Sequence, residues 1–482
     1  MIYWMLEACM GGEVQVDPAP AEYSGAVIPR GAASASIPGT PLPPRPEGTV
    51  IIGAGASGLA AAADLPGAIV LEASSAWGGR LAGGGHHVCL VGTEEQAEAG
   101  IDDSVEQALA DWPLWTGEAA TAATVAFLEQ SGAVHDRLEE LGMDLVLEDT
   151  DPMLGRHRLH VGADDGKDFA AALYDAAIEG VDLHLSTPAT GLVLDARGVV
   201  GVETAEGVIE AGTVVIATGG FTNRVDLVRD GTAWPAGTWG VGSDAFANGE
   251  AIDWAGEYGF GTARLDAVGS NADVVGIAGA DGLAIAPKYN WAWVWVDASG
   301  ERFANEQLGW TLTLAAAAEE HGQVWAISTH QALLEAVAEE NRDYVEAGLL
   351  CRDTWDELAG SIATDADGLA ATVADVVDHV THHSTDDFGR AQLPDLTGQP
   401  CAFPWGRLAS KSFGGLAVDD SGAVLDNAGR VIPGLYAVGE AAGMGQPGLG
   451  GAFGFDGSLS AVIWSGWRTA AAIKAAAADG DG

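Results

Sequence analysis

The chain has 482 residues, of which 21 are Lys or Arg and 69 are Asp or Glu, giving a formal net charge of −48 and a pI near 4.2. Such a chain has no basic face to displace counterions from nucleic-acid phosphates, and anionic lipid repels it, so electrostatic binding to either is excluded. The acidity reads as a solvated, self-repelling surface of the kind that tolerates salt, not as a reaction centre. With 48% hydrophobic residues and 68 glycines, the composition is that of a folded α/β protein large enough for more than one core.

Met1–Leu6 is apolar and is followed by Glu7, Cys9 and a Pro/Ala/Ser/Gly-rich run to Glu47. That run cannot bury a core, so residues 1–47 are expected to form a flexible tail. A cysteine between an apolar segment and a linker is the arrangement of a lipid-anchored exported protein. The short segment, the lack of a preceding Lys or Arg, and Glu7 in the cleavage box argue against it. The expectation is a cytoplasmic protein, with export through Cys9 as the alternative if an upstream start precedes Met1. No apolar run approaches the roughly 20 residues of a membrane span. The four cysteines, Cys9, Cys89, Cys351 and Cys401, contain no CxxC, so no zinc, thioredoxin-type or haem-attachment motif is present. Their spacing neither requires nor excludes disulfides, and no metal site is expected.

Thr49–Ile52 is a short β-branched run that predicts a buried parallel strand. Gly53-Ala-Gly55-Ala-Ser-Gly58 follows at once, then the alanine-rich start of a helix. Strand, GxGxxG and helix in that order form the dinucleotide fingerprint. The first glycine makes the turn, the second admits the pyrophosphate to the backbone, and the third lets helix and strand touch. The helix N-terminus, carrying Ala56 and Ser57, then faces the phosphates. A second strand, Ala68–Leu71, ends in Glu72 and Ala73, where a carboxylate can accept bonds from ribose hydroxyls.

Beyond this point the chain resembles the FAD-dependent fumarate reductase and succinate dehydrogenase flavoprotein superfamily, which also includes the 3-ketosteroid 1-dehydrogenases. The resemblance covers about residues 48 to 475. Trp77-Gly78-Gly79-Arg80-Leu81-Ala-Gly-Gly84-Gly85 is similar to the family's second glycine-rich loop, which runs under the flavin. Val215-Ile-Ala217-Thr218-Gly219-Gly220-Phe221 is similar to its ATGGF segment. Gly300-Glu-Arg302-Phe303-Ala-Asn305-Glu306 resembles the GxRFxNE stretch of the family's cap, and Pro433-Gly-Leu-Tyr-Ala-Val-Gly439-Glu440 its PGLYAxGE motif. The resemblance implies an α/β fold with a discontinuous Rossmann-like FAD-binding domain, residues 48–275 and 411–476, and an inserted α+β capping domain, residues 276–410. It implies FAD, held by the residues named above together with Ser458 and Leu459 at the start of a C-terminal helix, and the cofactor is expected to be noncovalent because His86 and His87 do not sit in the motif of the succinate dehydrogenases' histidine–flavin link.

Where fumarate reductases carry a proton-donating arginine, this sequence has Trp310, and where they clamp a carboxylate with histidine it has Lys411. No arginine lies between Arg430 and Arg468, where the second clamp is expected; Gly448 or Phe453 stands there. A dicarboxylate needs fixed cationic donors at both ends, so the expected substrate is an apolar small molecule that is not a dicarboxylate. The expected reaction is hydride exchange at a carbon–carbon bond. Lys411 is the leading candidate to act on substrate, and Tyr289 a second one by location. The ketosteroid enzymes' motif tyrosines are not matched; Ala452, Phe453 and Phe455 occupy that stretch. An enzyme like the ketosteroid dehydrogenases and a flavin-binding protein without catalysis remain alternatives. The electron partner, with no haem or iron–sulfur motif in the chain, is left open.

Other groups read as structural. Trp291, Trp293 and Trp295 share one strand face and are expected in a core or domain interface. Arg156-His157-Arg158-Leu-His160 is expected to pair with neighbouring aspartates. Arg302 and Glu306 are expected to tie the cap strand to the flavin domain, and His382-His383 to lie in a polar loop.

Overall fold

The structure, a computed structural model, describes residues 45–83, 87–116, 120, 122–147, 157–162, 168–232, 239–241, 247–274, 292–306, 320–336, 349–443 and 459–480. The expected tail with Cys9 therefore lies outside the described residues up to residue 44.

The β-branched run Thr49–Ile52 is a central strand of a six-stranded sheet. It pairs in parallel with Thr213–Ile216 on one side and Ile69–Leu71 on the other, setting Ile51 beside Val215 and Val70. All three side chains are fully buried, as a strand covered on both faces requires. Val431–Ala437 and Asp182–His184 extend the sheet in parallel, and Ala423–Leu425 closes one edge antiparallel. The helix Ala56–Ala63 lies on this sheet, and the C-terminal helix Leu459–Gly480 packs across it. Gly466 permits that crossing, since a Cβ there would run into the Ser57 carbonyl and Ala60.

A second six-stranded sheet is organised around the long strand Pro400–Ser412, which pairs with Trp325–Thr329, Val268–Val274, Trp239–Val241 and Leu350–Cys351. Val294–Val296 continues it beyond Trp325–Thr329. Its strands alternate between two apolar clusters. Trp293 and Trp295 pack with Phe403 and Val324 on one face. Val294, Val296 and Ile327 pack with Leu358, Leu369 and Val376 of the helices on the other. The tryptophan stripe is thus core at the two positions described, each about as buried as a side chain can be, while Trp291 lies outside the described residues. Cys351 and Cys401 face each other in this sheet and form a disulfide.

This sheet is wider than the segment 276–410 expected for the cap. Trp239–Val241 and Val268–Val274 join it from the N-terminal side, and Pro400–Ser412 runs through the expected boundary at 410/411. Those strands find their hydrogen-bond partners along one continuous strand, so no sequence break marks the junction.

Candidate active site

The glycine turn is built from backbone. Gly53 has φ +110°, open to glycine, and its N–H donates to the Leu71 carbonyl at 2.7 Å. A Cβ at Gly53 would strike the Ala217 carbonyl, and one at Gly58 would strike the Gly53 carbonyl. Buried Glu72 accepts the Ala54 N–H at 2.8 Å through one oxygen and the Ser74 N–H at 2.8 Å through the other. It braces the turn, and since a carboxylate oxygen has more than one acceptor direction it can still accept a further donor. The helix Ala56–Ala63 starts at Gly55 with no side-chain cap and no acidic residue in its first turn, which leaves its amide donors for an anion.

The other glycine motifs close on this turn. The Gly78 N–H donates to the Ala54 carbonyl at 2.8 Å, and Gly55 and Gly78 form a parallel bridge. Trp77 stacks on Tyr174 with ring centroids 4.0 Å apart. Arg80, in the short 3-10 turn Gly79–Gly83, reaches Glu440 at 3.4 Å, and Leu81 is buried. The Ala217 N–H donates to the Ile52 carbonyl at 2.8 Å, starting the Thr218-Gly219-Gly220 turn. The buried Thr218 Oγ1 has no hydrogen-bond partner among the described residues. Gly439 has φ +62°, lies against Ser57, and donates its N–H to Ser465 Oγ at 2.9 Å. Four sequence-distant motifs thus line one cleft.

Glu440 links this cleft to the second sheet. Its Oε2 accepts from both the N–H and the Oγ of Ser412 at 3.3 Å. A Cβ on Gly220 would collide with those same two side chains. Lys411 precedes Ser412 in the strand, is half-buried, and has no ion-pair partner among the described residues. Leu459 is buried at the first turn of the C-terminal helix. Gly84, Gly85, Tyr289, Trp310, Gly448, Phe453 and Ser458 lie outside the described residues.

These residues fit a flavin dinucleotide: Gly53 and Gly58 let the turn close on backbone, Gly55 has open space where a Cβ would stand, the helix N-terminus is uncapped, and the buried Thr218 hydroxyl is unsatisfied among the described residues. Sequence reading missed Ser412, because only the fold brings that serine to Glu440.

It also misplaced Arg302 and Glu306. Their bonds to described residues lie within the second sheet and its adjoining loop rather than crossing to the flavin turns. Arg302 donates to both Glu306 oxygens at 3.0 and 2.7 Å and to Asp386 at 2.7 Å. Arg390 donates to Glu306 at 2.7 Å and to the Trp293 carbonyl at 2.8 Å, and Glu306 also accepts the Trp295 N–H at 2.9 Å. Burial pushes the Arg390 guanidinium below its ordinary value even beside Glu306. In Arg302 burial acts the same way, but the bonds to Glu306 and Asp386 outweigh it and push the value up. Arg158 does pair with aspartates, as expected, at 2.7 Å to both Asp103 and Asp111. Burial would raise the Asp103 carboxyl, but the Arg158 bonds and charge prevail and hold it below the usual carboxylate range.

The family profile described as "FAD binding domain" matches residues 48–452. A protein named "Probable fumarate reductase Ifc3" from Shewanella frigidimarina (strain NCIMB 400) is 29% identical over 425 residues, covering 82% of this chain and 69% of its own. The open conformation of a flavocytochrome c3 fumarate reductase superposes with a TM-score of 0.62 at 26% identity, covering 88% of this chain and 78% of that one. A 3-ketosteroid Δ1-dehydrogenase from Sterolibacterium denitrificans superposes with a TM-score of 0.71 at 19% identity, covering 89% and 99%, a likeness of fold.

Proposed function

Since the chain belongs to the FAD-binding flavoproteins of the fumarate reductase and succinate dehydrogenase superfamily and is an FAD-dependent oxidoreductase, we propose that it exchanges a hydride with a carbon–carbon bond of an apolar substrate that is not a dicarboxylate. When bound, FAD supplies the hydride acceptor or donor at its N5 atom. Gly53, Gly55, Ala56, Ser57 and Gly58 would hold the pyrophosphate and Glu72 the ribose, with the cofactor bound noncovalently. Gly78, Gly79, Arg80, Thr218, Gly219, Gly439 and Glu440 would surround the rest.

The observation that carries the substrate reading is Lys411, the cation that stands at the end of the long strand where relatives place a carboxylate-clamping histidine. Glu440, by gripping Ser412, fixes that strand end against the flavin turns. The lysine can then hold a substrate oxygen or move a proton at the carbon next to the hydride site. The buried Arg158, Arg302 and Arg390 are committed to Asp103, Asp111, Glu306 and Asp386, which leaves none of these three to clamp two carboxylates. The second sheet would cap the cleft and exclude water.

Anaerobic flavin spectroscopy on the FAD-loaded enzyme tests this. Enones and steroid ketones should reoxidise the reduced enzyme, or their saturated forms bleach the oxidised one, while fumarate and succinate do neither. Lys411→Gln should slow the active pair by about 10²–10⁴-fold with flavin content unchanged. Fumarate turnover, a Lys411→Gln variant at full rate, or silence across the panel would each overturn the reading, the last in favour of a flavin holder.

A further inference from the structure

Away from the flavin cleft, three side chains converge without a role in it. The helix Ser131–Glu140 carries His135 and Glu139 at i and i+4, on one face. Glu95 comes from the short helix Glu94–Glu98, which a capping box fixes: Thr93 Oγ1 accepts the Gln96 N–H at 3.3 Å and Gln96 Oε1 accepts the Thr93 N–H at 3.1 Å. One imidazole nitrogen and two carboxylate oxygens of Glu95, His135 and Glu139 all lie within 4.8 Å of one another. We infer that these three residues form a binding site for a divalent cation of the zinc type.

Several features support the assignment. His135 Nε2 stands 2.9 and 3.1 Å from the two Glu95 oxygens. That contact is a hydrogen bond which an entering ion would replace: donors bound to zinc at about 2.0–2.1 Å in a tetrahedron stand about 3.3 Å from each other, so each group need shift outward only by tenths of an ångström. The other ring nitrogen, Nδ1, faces Asp136 Oδ1 at 3.4 Å, the carboxylate behind the imidazole that orients metal-binding histidines. Behind Glu95 lies a second imidazole. His160 Nδ1 is held by the Arg158 carbonyl at 3.0 Å, and its Nε2 meets Thr93 Oγ1 at 2.8 Å and lies 3.7 Å from Glu95 Oε2. Charge points the same way. Glu95, Glu139 and Asp136 surround one imidazole, which even when protonated offsets a single carboxylate, and the chain as a whole has a net charge of −48. A dication neutralises what the ring cannot.

The mixed nitrogen and oxygen donors favour zinc over magnesium or calcium, which take oxygen shells. His135 is buried and Glu139 exposed, so the ion enters from the solvent side and ties the two helices together. The sequence alone suggests no metal site here, because Glu95 and His135 meet only in the fold.

The test uses the full FAD-loaded chain, stripped with a chelator and titrated with zinc chloride by calorimetry and equilibrium dialysis. One tight equivalent per chain is expected, with a higher thermal midpoint. Glu139→Gln, an exposed change that leaves the core intact, should weaken that equivalent about tenfold or more, and His135→Gln should abolish it. Magnesium should not compete at equal concentration. Absence of a stoichiometric tight equivalent overturns the site. So does zinc binding by both variants at wild-type strength, which would place the ion on other surface carboxylates.

Discussion

In the parallel sheet, the contacts that bring distant motifs together run between backbone atoms: Gly53 against Ala217, Gly58 against Gly53, and Gly78 against Ala54. In the second sheet they run between charged side chains and sulfur. Glu306 sits between Arg302 and Arg390, and Cys351 is joined to Cys401. The first kind tolerates no added atom and is nearly blind to charge. The second tolerates reshaping but not the loss of one charge, because a guanidinium without its carboxylate stays buried and uncompensated.

The largest effect should follow Glu306→Gln, which removes the buried carboxylate that Arg302 and Arg390 share. We expect a loss of about 3–5 kcal/mol in urea unfolding, with flavin content per folded chain unchanged. A loss below the error of the measurement would mean the network is solvated. Next comes Cys351→Ser. The disulfide closes a separation of 50 residues, so its removal should cost about 2–4 kcal/mol, and reductant should lower the wild-type thermal midpoint to that of the variant. Wild-type protein indifferent to reductant would show that the bond does not form. Gly53→Ala adds about 1–3 kcal/mol of backbone strain at φ +110° to the collision of its Cβ with the Ala217 carbonyl, so it is read on the fraction that folds. Its consequence for function is the most complete of the three, with purified protein expected to carry no flavin absorbance. A Gly53→Ala protein as yellow as wild type would remove the turn from the cofactor site.

The ease of reading the two regions differs for the same reason. Gly53, Gly55, Gly58 and Glu72 were legible because a dinucleotide turn uses local geometry, and local geometry leaves a fixed spacing in the chain. Arg302 and Glu306 were visible as a motif, but their partners Asp386 and Arg390 lie some eighty residues away, and nothing in either segment names the other. Ser412 was passed over although it neighbours Lys411, since a serine in a strand carries no signal until Glu440 is placed beside it. The disulfide was one of several open pairings among four cysteines.

The sequence by itself determined the strand–glycine–helix unit, the family, the cofactor and the core fate of Trp293 and Trp295. Each rests on short-range order: a residue spacing, an alternation or a run of branched side chains. Only the tertiary structure decided which strands the second sheet recruits, where Arg302 and Glu306 find their partners, how Glu440 anchors the strand end bearing Lys411, and that Glu95 meets His135. Those pairings are fixed by where separate segments come to rest. That depends on the burial and hydrogen-bond satisfaction of the whole chain, which no local stretch encodes.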